Sequence, residues 1–403
     1  MQSSSVNHVN HSRAAYAPEA RAQPVRVAVN ATSLLSPLTG IGQYTQNLMR
    51  AIERRGQFDL HYFYGHGWGR ELRETPMPGI VRAKEFVKRV VPNPHEVFRW
   101  VQRMQFRRGV SKFHCEIFHD PNYLPFDFSG AIVNTVHDLS FVRFPETHPA
   151  LRIRFLEKHL PPVLERCNAI ITDSAFVRDE VVSVFGIDAE KIHPIHLGVS
   201  PAYHPRPPEE TTPVLAKYGL AHGQYVLAVG TLEPRKNLIQ GLRAFHRLPE
   251  ALRERMPFVI VGMKGWLTDG IEAEIDALAG HGQVRALGYL STDDLLQLYA
   301  GATMLLYPSV YEGFGLPALE AMACGIPVIT SNRSSLPEVV GDVGITVEPG
   351  DEAGFAEAIR MLAEDADARA ARGAAGVERA RHFSWARCAV ETERVYRIAL
   401  ADV

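Results

Sequence analysis

The stretch "TMLLYPSVYEGFGLPALEAMACGIPVIT", which runs from Thr303 to Thr330, decides the fold of this chain. It opens with an apolar run that ends before Pro308, as is typical of a buried strand in a parallel sheet. Pro317 then suits the first turn of a helix, "PALEAMAC" consists largely of good helix formers, and Gly325 is a natural helix stop. The apolar run "IPVIT" follows. The stretch therefore predicts a strand, a loop, a helix and a second strand, the repeating unit of a parallel α/β sheet.

The same alternation extends to both sides of this stretch. The first half of the chain offers the strand candidates "VRVAVNA" from Val25, "FDLHYFY", "AIVNTVHD" and "AIITDS", and the second half offers "YVLAVGTL", "PFVIVG", "VRALGYL", "TMLLYPS" and "IPVITSN". Helical stretches or loops separate these runs, and the first helix is expected from Gln43. Ligand sites in such sheets lie at the carboxyl ends of the strands, and two facing units would form a cleft. The predicted fold class is α/β, with two Rossmann-like domains facing each other across a cleft.

Proline marks a boundary between the two sets of strands. The segment after Ile195 contains several prolines, namely Pro205, Pro207, Pro208 and Pro213. They disfavour any regular element there. We therefore predict domains over residues 25–205 and 206–383. The remaining residues, 384–403, are expected to form a helix that packs back on the first domain.

Length, charge and cysteine content exclude several classes of protein. A chain of 403 residues suits two domains of ordinary size, and a net charge of −2 argues against a protein that wraps nucleic acid. Four cysteines without a CxxC pair suggest neither a zinc site nor a disulfide framework, so a reducing cytoplasm fits best. Residues 1–24 are polar, lack the apolar centre of a secretory signal and are expected to form a disordered lead. No apolar run approaches the roughly 18 residues of a membrane-spanning helix.

Two carboxylates flank the glycines of the opening stretch. Glu312 lies in the loop at the carboxyl end of the predicted strand, and Glu320 lies about one turn into the helix. Gly313 and Gly315 allow the backbone to approach a ligand closely, and the N–H groups at the start of the helix favour a phosphate. A solvated face is the ordinary position of two such glutamates, but the glycines and the preceding strand favour a site. We therefore hypothesise that the two carboxylates hold opposite ends of an extended anionic ligand.

Three further groups lie next to predicted strands. In "TGIGQY", Gly40 and Gly42 form either a plain strand-to-helix turn or a phosphate-binding loop. His137 follows the strand "AIVNTV" and is either a buried core histidine or a ligand contact. Arg235 and Lys236 follow "YVLAVG" and are either surface charges or the partners of a leaving diphosphate. They suit a diphosphate because Arg binds it through two nitrogens and Lys acts as a point charge.

Together these motifs resemble one enzyme family. "EGFGLPALE" resembles the E-x7-E signature of the retaining glycosyltransferases of family 4, which have the two-domain GT-B fold. "LTGIGQYTQNL", "TVHDLSF", "VGTLEPRKNL" and "SSLPEVVGD" resemble further motifs of that family, so that the resemblance spans roughly Val25 to Val395. Within the family, the set looks most like bacterial mannosyltransferases that build surface polysaccharides from GDP-mannose, with rhamnosyl and glucosyl relatives close behind. The resemblance implies a hexosyltransferase that uses a nucleotide sugar.

The resemblance also implies a role for each site residue. Glu320 would bind the ribose hydroxyls, Glu312 would bind hydroxyls of the transferred sugar, and His137 would contact that sugar from the first domain. Lys236 and Arg235 would stabilise the diphosphate without a metal. Many relatives carry an Arg where this chain has Thr231. We therefore expect Lys236 to be the main residue that binds the diphosphate and Arg235 to be the second. The other donor contacts are expected from the two glycine loops and the signature loop: Gly40, Gly42, Thr231, Gly313, Phe314, Gly315 and Leu316.

No resident cofactor or metal is expected. The "DAD" at Asp365 to Asp367 matches a metal motif of a different glycosyltransferase fold, but it lies in an alanine-rich helical stretch far from any strand end. Two alternatives stay open beside the mannosyltransferase. One is a transferase of the same fold that uses another sugar nucleotide or a soluble acceptor, and the other is a non-catalytic subunit that binds sugar nucleotides. Oligomeric state and linkage position leave no signal in the sequence.

The segment from Arg82 to Lys112 is basic and is interleaved with aromatic and aliphatic residues. Such a pattern fits either an anionic membrane surface or a pair of amphipathic helices packed on the first domain with their charges in water. Membrane contact would place the enzyme at the inner face of the plasma membrane, where a lipid-linked glycan is the expected acceptor. No nucleic-acid module surrounds the segment, so nucleic acid is not expected as a partner.

Overall fold

The computed structural model describes residues 24–35, 40–73, 94–263, 265, 275 and 283–403, with only the backbone for residues 94–99. These residues form two separate sheets of mainly parallel strands with helices on both faces, which confirms the predicted α/β class with two Rossmann-like domains. Residues 1–23 of the predicted lead and residues 82–93 of the basic segment lie outside the described residues.

The first sheet has the strand order β3-β2-β1-β4-β5-β6-β7. Neighbouring strands are parallel, except that β3 runs antiparallel to β2. The strands β1, β2, β5 and β6 coincide with the predicted runs, whereas β3, β4 and β7 were not predicted. Their bounds are β1 (Val25–Asn30), β2 (Phe58–Phe63), β3 (Trp68–Gly69), β4 (Ile117–Asp120), β5 (Ala131–Val136), β6 (Ala169–Thr172) and β7 (Ile192–Pro194).

The second sheet has the order β10-β9-β8-β11-β12-β13 and is parallel throughout its described strands. Its central strands are completely apolar and buried because helices cover both faces of the sheet. The first five of these strands match predicted runs, and β13 was not predicted. Their bounds are β8 (Val226–Val229), β9 (Phe258–Val261), β10 (Val284–Gly288), β11 (Met304–Tyr307), β12 (Val328–Ser331) and β13 (Ile345–Val347).

The helices of the described residues connect and cover the strands. In the first domain they are α1 (Gly40–Arg55), α2 (Pro94–Phe113), α3 (Ser140–Arg143), α4 (Ala150–Arg166) and α5 (Ala175–Phe185). The rest of the chain contains α6 (Pro208–Leu215), α7 (Leu238–His246), α8 (Glu250–Arg255), α9 (Thr292–Gly301), α10 (Leu316–Ala323), α11 (Leu336–Val340), α12 (Glu352–Glu364), α13 (Ala366–Ala380) and α14 (Trp385–Ala401).

Helix α6 overturns one expectation, because the proline-rich segment was predicted to contain no regular element. Pro208 takes the first helical position, where an absent backbone N–H costs nothing, and Glu209 and Glu210 follow in the first turn. Pro213 lies inside the helix, which extends only to Leu215. The expectation from proline content was therefore wrong at this point, because α6 accommodates both Pro208 and Pro213. The domain boundary itself stays a prediction.

The last helix, α14, lies against the first domain rather than the second. It packs on α1 and on strands β5 and β6. The Tyr396 hydroxyl is 2.7 Å from Nδ1 of His119 in β4, and the Arg55 guanidinium donates to the buried Glu393 at 2.9 Å. The chain therefore crosses between the domains twice, once after β7 and once before α14. The two crossings are in contact, because the Val199 amide donates to the Phe383 carbonyl at 3.2 Å.

Candidate active site

Glu312 lies at the centre of a buried cluster of charges. It follows β11 and is 6% exposed. The Lys236 ammonium donates to its two carboxylate oxygens at 2.7 and 2.9 Å, and the Arg235 guanidinium donates to Oε2 at 3.2 Å. Both cations come from the turn Pro234–Lys236 that follows β8. Since β8 and β11 are neighbours in the sheet, parallel pairing brings these separate loops together at one edge.

The charges in this cluster fix each other's protonation states. Burial favours a neutral Glu312, but the charges of Lys236 and Arg235 outweigh it and lower the pKa of Glu312 to about 2. Burial and the nearby Arg235 lower the pKa of Lys236, against the opposing effect of Glu312. Arg235 itself stays charged, because Glu312, Asp138 and Glu233 raise its pKa despite its burial. Glu312 is therefore ionised across the physiological pH range and is held between two cations.

Tyr307 is a member of this cluster that sequence reasoning missed. Its hydroxyl donates to Oε1 of Glu312 at 2.6 Å and accepts from the Lys236 ammonium at 3.2 Å. The residue ends β11 and is 3% exposed. A tyrosine at the carboxyl end of a buried strand, five positions before a candidate carboxylate, was the signal that could have identified it.

The loop between Glu312 and α10 is fixed by its glycines and by Ser335. A Cβ atom on Gly313 would lie 1.9 Å from the His137 carbonyl oxygen, so no side chain fits there. Gly315 has a φ of 110°, which only glycine adopts readily, and it leads directly into the first turn of α10 at Leu316. The Ser335 hydroxyl lies 2.9 Å from the Glu312 carbonyl and 2.8 Å from that of the buried Phe314. The loop is therefore rigid and directs the helix start toward the cleft.

Glu320 is buried away from the cations and has only tyrosine partners in the described part of the chain. The Tyr299 hydroxyl donates to its Oε2 atom at 2.7 Å, and the Tyr203 ring packs on that of Tyr299. Burial raises the pKa of Glu320, and the two tyrosine hydroxyls oppose that rise. Glu312 and Glu320 thus occupy different environments on the same loop–helix unit, as the hypothesis of two separate roles requires.

His137 reaches the site from the first domain, and both of its ring nitrogens are engaged. Nδ1 lies 2.8 Å from Oδ2 of Asp173, and Nε2 lies 2.9 Å from the Pro121 carbonyl. A carbonyl only accepts, so Nε2 carries a proton. Burial disfavours the charged ring, but the adjacent Asp173 carboxylate outweighs it and raises the pKa of His137. Contact between this ring and a sugar would require one of these two bonds to open, whereas the His137 carbonyl oxygen already faces Gly313.

The other predicted donor contacts lie around this cluster. Thr231 follows β8 and lines a small cavity with Lys236 and Tyr307. Gly40 is exposed at the start of α1, where a Cβ would meet nothing within 4 Å, and Gly42 is buried two positions further along the same helix. The roles of these residues toward a donor stay predictions.

The two domains touch through the signature loop itself. The Tyr311 hydroxyl accepts from the Leu139 amide at 2.8 Å and donates to Glu180 of α5 at 2.5 Å. On the other side of Glu312, the Ser174 hydroxyl donates to the Gly313 carbonyl at 2.8 Å. The residues before and after Glu312 are thus both bound to the first domain, so the position of Glu312 depends on the closed arrangement of the domains.

No group of three or more His, Cys, Asp or Glu side chains that could hold a metal ion occurs within the described ranges. Asp365 of the "DAD" motif caps helix α13, where its carboxylate accepts from the Ala368 amide at 2.8 Å. None of the helices within the described residues is long and apolar enough to cross a membrane.

The site offers two cations, a helix start and glycine amides, which together suit the developing negative charge of a departing diphosphate.

Comparisons with known proteins identify the family of this chain. The sequence matches the family described as Glycosyltransferase Family 4 over residues 38–203 and the family described as Glycosyl transferases group 1 over residues 216–379. It is 37% identical to O-antigen chain mannosyltransferase B of Escherichia coli over 370 residues, which are 90% of this chain and 97% of that protein. It is also 27% identical to O-antigen chain mannosyltransferase RfbU of Salmonella typhimurium, across 84% of this chain and 92% of the relative.

A solved structure extends the likeness to the whole fold. Alr3699/HepE of Anabaena, crystallised in complex with UDP-glucose, superposes with a TM-score of 0.69 at 16% sequence identity. The superposition covers 94% of this chain and all of that protein. At this identity the likeness concerns the fold alone.

Proposed function

Because this chain belongs to the family 4 glycosyltransferases and has their GT-B fold, we propose that it transfers mannose from GDP-mannose to a growing polysaccharide, with retention of anomeric configuration. The observation that carries the proposal is the buried cluster in which Glu312 binds both Lys236 and Arg235 at the carboxyl ends of two neighbouring strands. The choice of mannose rests on the two relatives named as O-antigen mannosyltransferases.

The cations act on the leaving group. When the bond between the sugar and the diphosphate breaks, negative charge develops on the phosphate oxygen. Lys236 and Arg235, together with the amides at the start of α10, stabilise this charge, and no step needs a metal. Removing one such donor typically costs about 10²-fold or more in turnover.

Glu312 binds sugar hydroxyls and is not a general base. A base that works near neutral pH needs a pKa close to that pH, whereas the pKa of Glu312 is lowered to about 2. The acceptor hydroxyl instead attacks from the face that the diphosphate leaves. Its oxygen forms the new glycosidic bond as the old bond breaks, and its proton passes to the departing phosphate oxygen, so the reaction is balanced without a protein base.

Domain closure brings the donor and the acceptor together. The donor binds mainly to the second domain, with Glu320 on the ribose, and the acceptor approaches from the first domain. The contacts of Tyr311 and Gly313 with the first domain fit an arrangement in which closure completes the site and excludes water from the reactive donor.

The donor is tested by calorimetric titration of the purified chain, without added metal, against GDP-mannose, UDP-glucose, UDP-N-acetylglucosamine and dTDP-rhamnose. We expect GDP-mannose to bind more tightly than the other three. Glu320→Gln should weaken its binding about tenfold or more, because a charged acceptor is lost. As a matched control, Glu53→Gln alters a carboxylate that also accepts a tyrosine hydroxyl, from Tyr62 at 2.7 Å, but lies outside the site.

The outcomes separate the alternatives. Preference for another nucleotide would keep the transferase and reassign the sugar. Binding of GDP-mannose without transfer to any glycan would favour the non-catalytic subunit. Failure to bind any of the four donors would contradict the proposed function.

We further infer that the first domain works at the cytoplasmic face of the membrane on a lipid-linked glycan. In α2, Phe106 is buried and Arg103 and Arg107 pair with Asp127, so this half of the basic segment packs on the domain. Trp100 is nevertheless 63% exposed, and Leu151 at the start of α4 is 79% exposed. Such large apolar side chains beside basic ones suit insertion into an anionic lipid surface. Co-flotation with anionic vesicles tests this inference.

A further inference from the structure

Two tyrosines outside the signature support its second glutamate. The Tyr299 hydroxyl of α9 donates to Oε2 of Glu320 at 2.7 Å. Tyr203, in the connection after β7, packs its ring edge to face on that of Tyr299, with the ring centroids 5.5 Å apart. Tyr299 is fully buried and Tyr203 is partly buried.

The chemistry of the carboxylate explains why its orientation matters. An ionised carboxylate has about four acceptor positions, so the bond from Tyr299 leaves about three for a ligand. A ribose presents two neighbouring hydroxyls, the 2′-OH and the 3′-OH, and each donates one hydrogen bond. If Glu320 became protonated, it would lose acceptor capacity and would present an O–H group toward the ribose.

We propose that Tyr299, supported by the ring of Tyr203, is a positioning residue for donor binding, which orients Glu320 so that its free acceptor positions receive the ribose 2′-OH and 3′-OH. This inference rests on the proposed function, because it takes Glu320 as the ribose-binding group. It adds two residues that belong to no motif, one of which is contributed by the interdomain connection.

The proposal makes a statement about pH with a definite sign. The titratable groups that face Glu320 are Tyr203, Tyr299 and Cys324, and burial raises the pKa of each of them above its ordinary value. They therefore stay protonated over the pH range of the test. Burial raises the pKa of Glu320, and the hydroxyls of Tyr299 and Tyr203 limit the rise. Removing one hydroxyl raises that pKa further, so nucleotide binding is lost at a higher pH as the solution is acidified.

The test is calorimetric titration of the full chain with GDP and with 2′-deoxy-GDP between about pH 5 and pH 8. The variants are Tyr203→Phe and Tyr299→Phe, each of which removes one hydroxyl and keeps the ring. We expect Tyr299→Phe to weaken GDP binding about fivefold to tenfold, Tyr203→Phe to weaken it less, and both to move the acid loss of binding to higher pH. The penalty for 2′-deoxy-GDP should be smaller in each variant than in the wild type, because Glu320 no longer holds the diol correctly.

Tyr225→Phe is the matched control. Its buried hydroxyl donates to the Leu298 carbonyl at 2.5 Å, beside the same helix, and does not bind Glu320. This variant should bind GDP as the wild type does at every pH. If the wild type binds GDP but Tyr203→Phe and Tyr299→Phe behave like Tyr225→Phe, the inference is wrong and the proposed function stands. If the wild type binds no nucleotide, the proposed function itself fails.

Discussion

At the scale of single residues, Glu312 is held by the groups whose charge it neutralises. The Arg235 and Lys236 side chains, which are 14% and 15% exposed, both lie within hydrogen-bond distance of the buried Glu312 carboxylate. Removing one partner from such a cluster costs about 3–5 kcal/mol, because it leaves an unpaired charge inside the protein. Glu312→Ala would therefore confuse a loss of folding with a loss of catalysis. Glu312→Gln keeps the shape and is the better probe.

Tyr307 offers a cleaner change at the same site. Tyr307→Phe keeps the ring beside Lys236 and removes only the hydroxyl that bonds Glu312 and Lys236. A hydrogen bond to a charged group contributes about 1.5–3 kcal/mol, so we expect kcat/KM for sugar transfer to fall about tenfold or more. Steady-state kinetics of transfer from the donor measure this effect.

Two further variants separate positioning from general damage. Tyr62→Phe removes an equivalent bond to Glu53 outside the site and should leave the rate unchanged. In the double variant Tyr307→Phe with Glu312→Gln, the two losses should not add, because Tyr307 acts through Glu312. A wild-type rate for Tyr307→Phe, or fully additive losses, would remove Tyr307 from the mechanism.

The sequence predicted Glu312, Lys236 and Arg235 because each follows an apolar run that ends in a loop, and parallel sheets collect such loops at one edge. It did not predict Tyr203, Asp173 or Tyr299. Each of these reaches its partner across a long stretch of chain, as Tyr203 does with Glu320, and no local pattern marks such a pairing. Tyr307 lay close enough in sequence to Glu312 to be found.

At the scale of elements, the start of α5 binds a carboxylate from the other domain. Glu338 of α11 accepts from the Ala175 amide at 2.9 Å and the Phe176 amide at 3.3 Å, and His196 lies 2.6 Å from the same carboxylate. Free amides and the helix dipole make a helix start attractive to an anion. Burial opposes ionisation, but the bonds from His196 and these amides outweigh it and lower the pKa of Glu338 below its ordinary value of 4.5.

Glu338→Gln should loosen this junction. The two amides lose a charged acceptor at a helix start, an interaction that contributes about 0.3–1 kcal/mol. We expect hydrogen exchange at Ala175 and Phe176 to accelerate roughly twofold to fivefold at neutral pH. In the wild type the protection is present above pH 4.5, and it is lost as the pH falls through the lowered pKa of Glu338. Amide exchange followed by mass spectrometry or NMR measures both effects.

Asp365→Asn is the control, since Asp365 caps α13 within the second domain. It should change exchange at Ala368 and leave Ala175 unaffected. Unaltered exchange at Ala175 in Glu338→Gln would show that the carboxylate does not contribute to the junction.

The predicted strands coincide with apolar runs, whereas the missed ones have only two or three residues or, in β4, carry buried polar residues. Strand β4, "IFHD", contains a histidine and an aspartate that are both fully buried, so its composition hides its position in the sheet. His119 is tolerated there because it stays neutral, since burial and the nearby His137 lower its pKa to about 3. Helix α6 was missed because proline was treated as a helix breaker, although it is favourable at the start of a helix.

At the scale of the whole molecule, the exposed apolar side chains of the first domain bear on where the enzyme works. Burying a Trp or Leu side chain contributes about 1.5–3 kcal/mol, compared with about 1 kcal/mol for each basic residue near an anionic surface. The apolar residues should therefore decide the strength of membrane contact, and the basic residues its dependence on lipid charge and salt.

We expect the full chain to co-float with vesicles that contain phosphatidylglycerol at low salt, and less so at high salt. The double variant Trp100→Ser with Leu151→Ser should lose most of this binding. Tyr289→Ser, which removes a side chain of similar exposure, 62%, from the second domain, should keep it. If the floated fraction contains as much protein with neutral vesicles as with anionic ones, or if the protein does not bind at low salt, the alternative of a soluble acceptor is favoured.

The paired crossings between the domains have a mechanical consequence. The chain passes from one domain to the other before Val199 and returns at Ser384, and these residues form an isolated bridge between the two passages. One tether would allow swivelling in every direction, but two adjacent tethers oppose twisting and sliding. They leave rotation about the line through both as the softest motion. We therefore expect each opening and closing stroke to follow one arc, which returns the loop of Glu312 to the same position opposite His137 in every catalytic cycle.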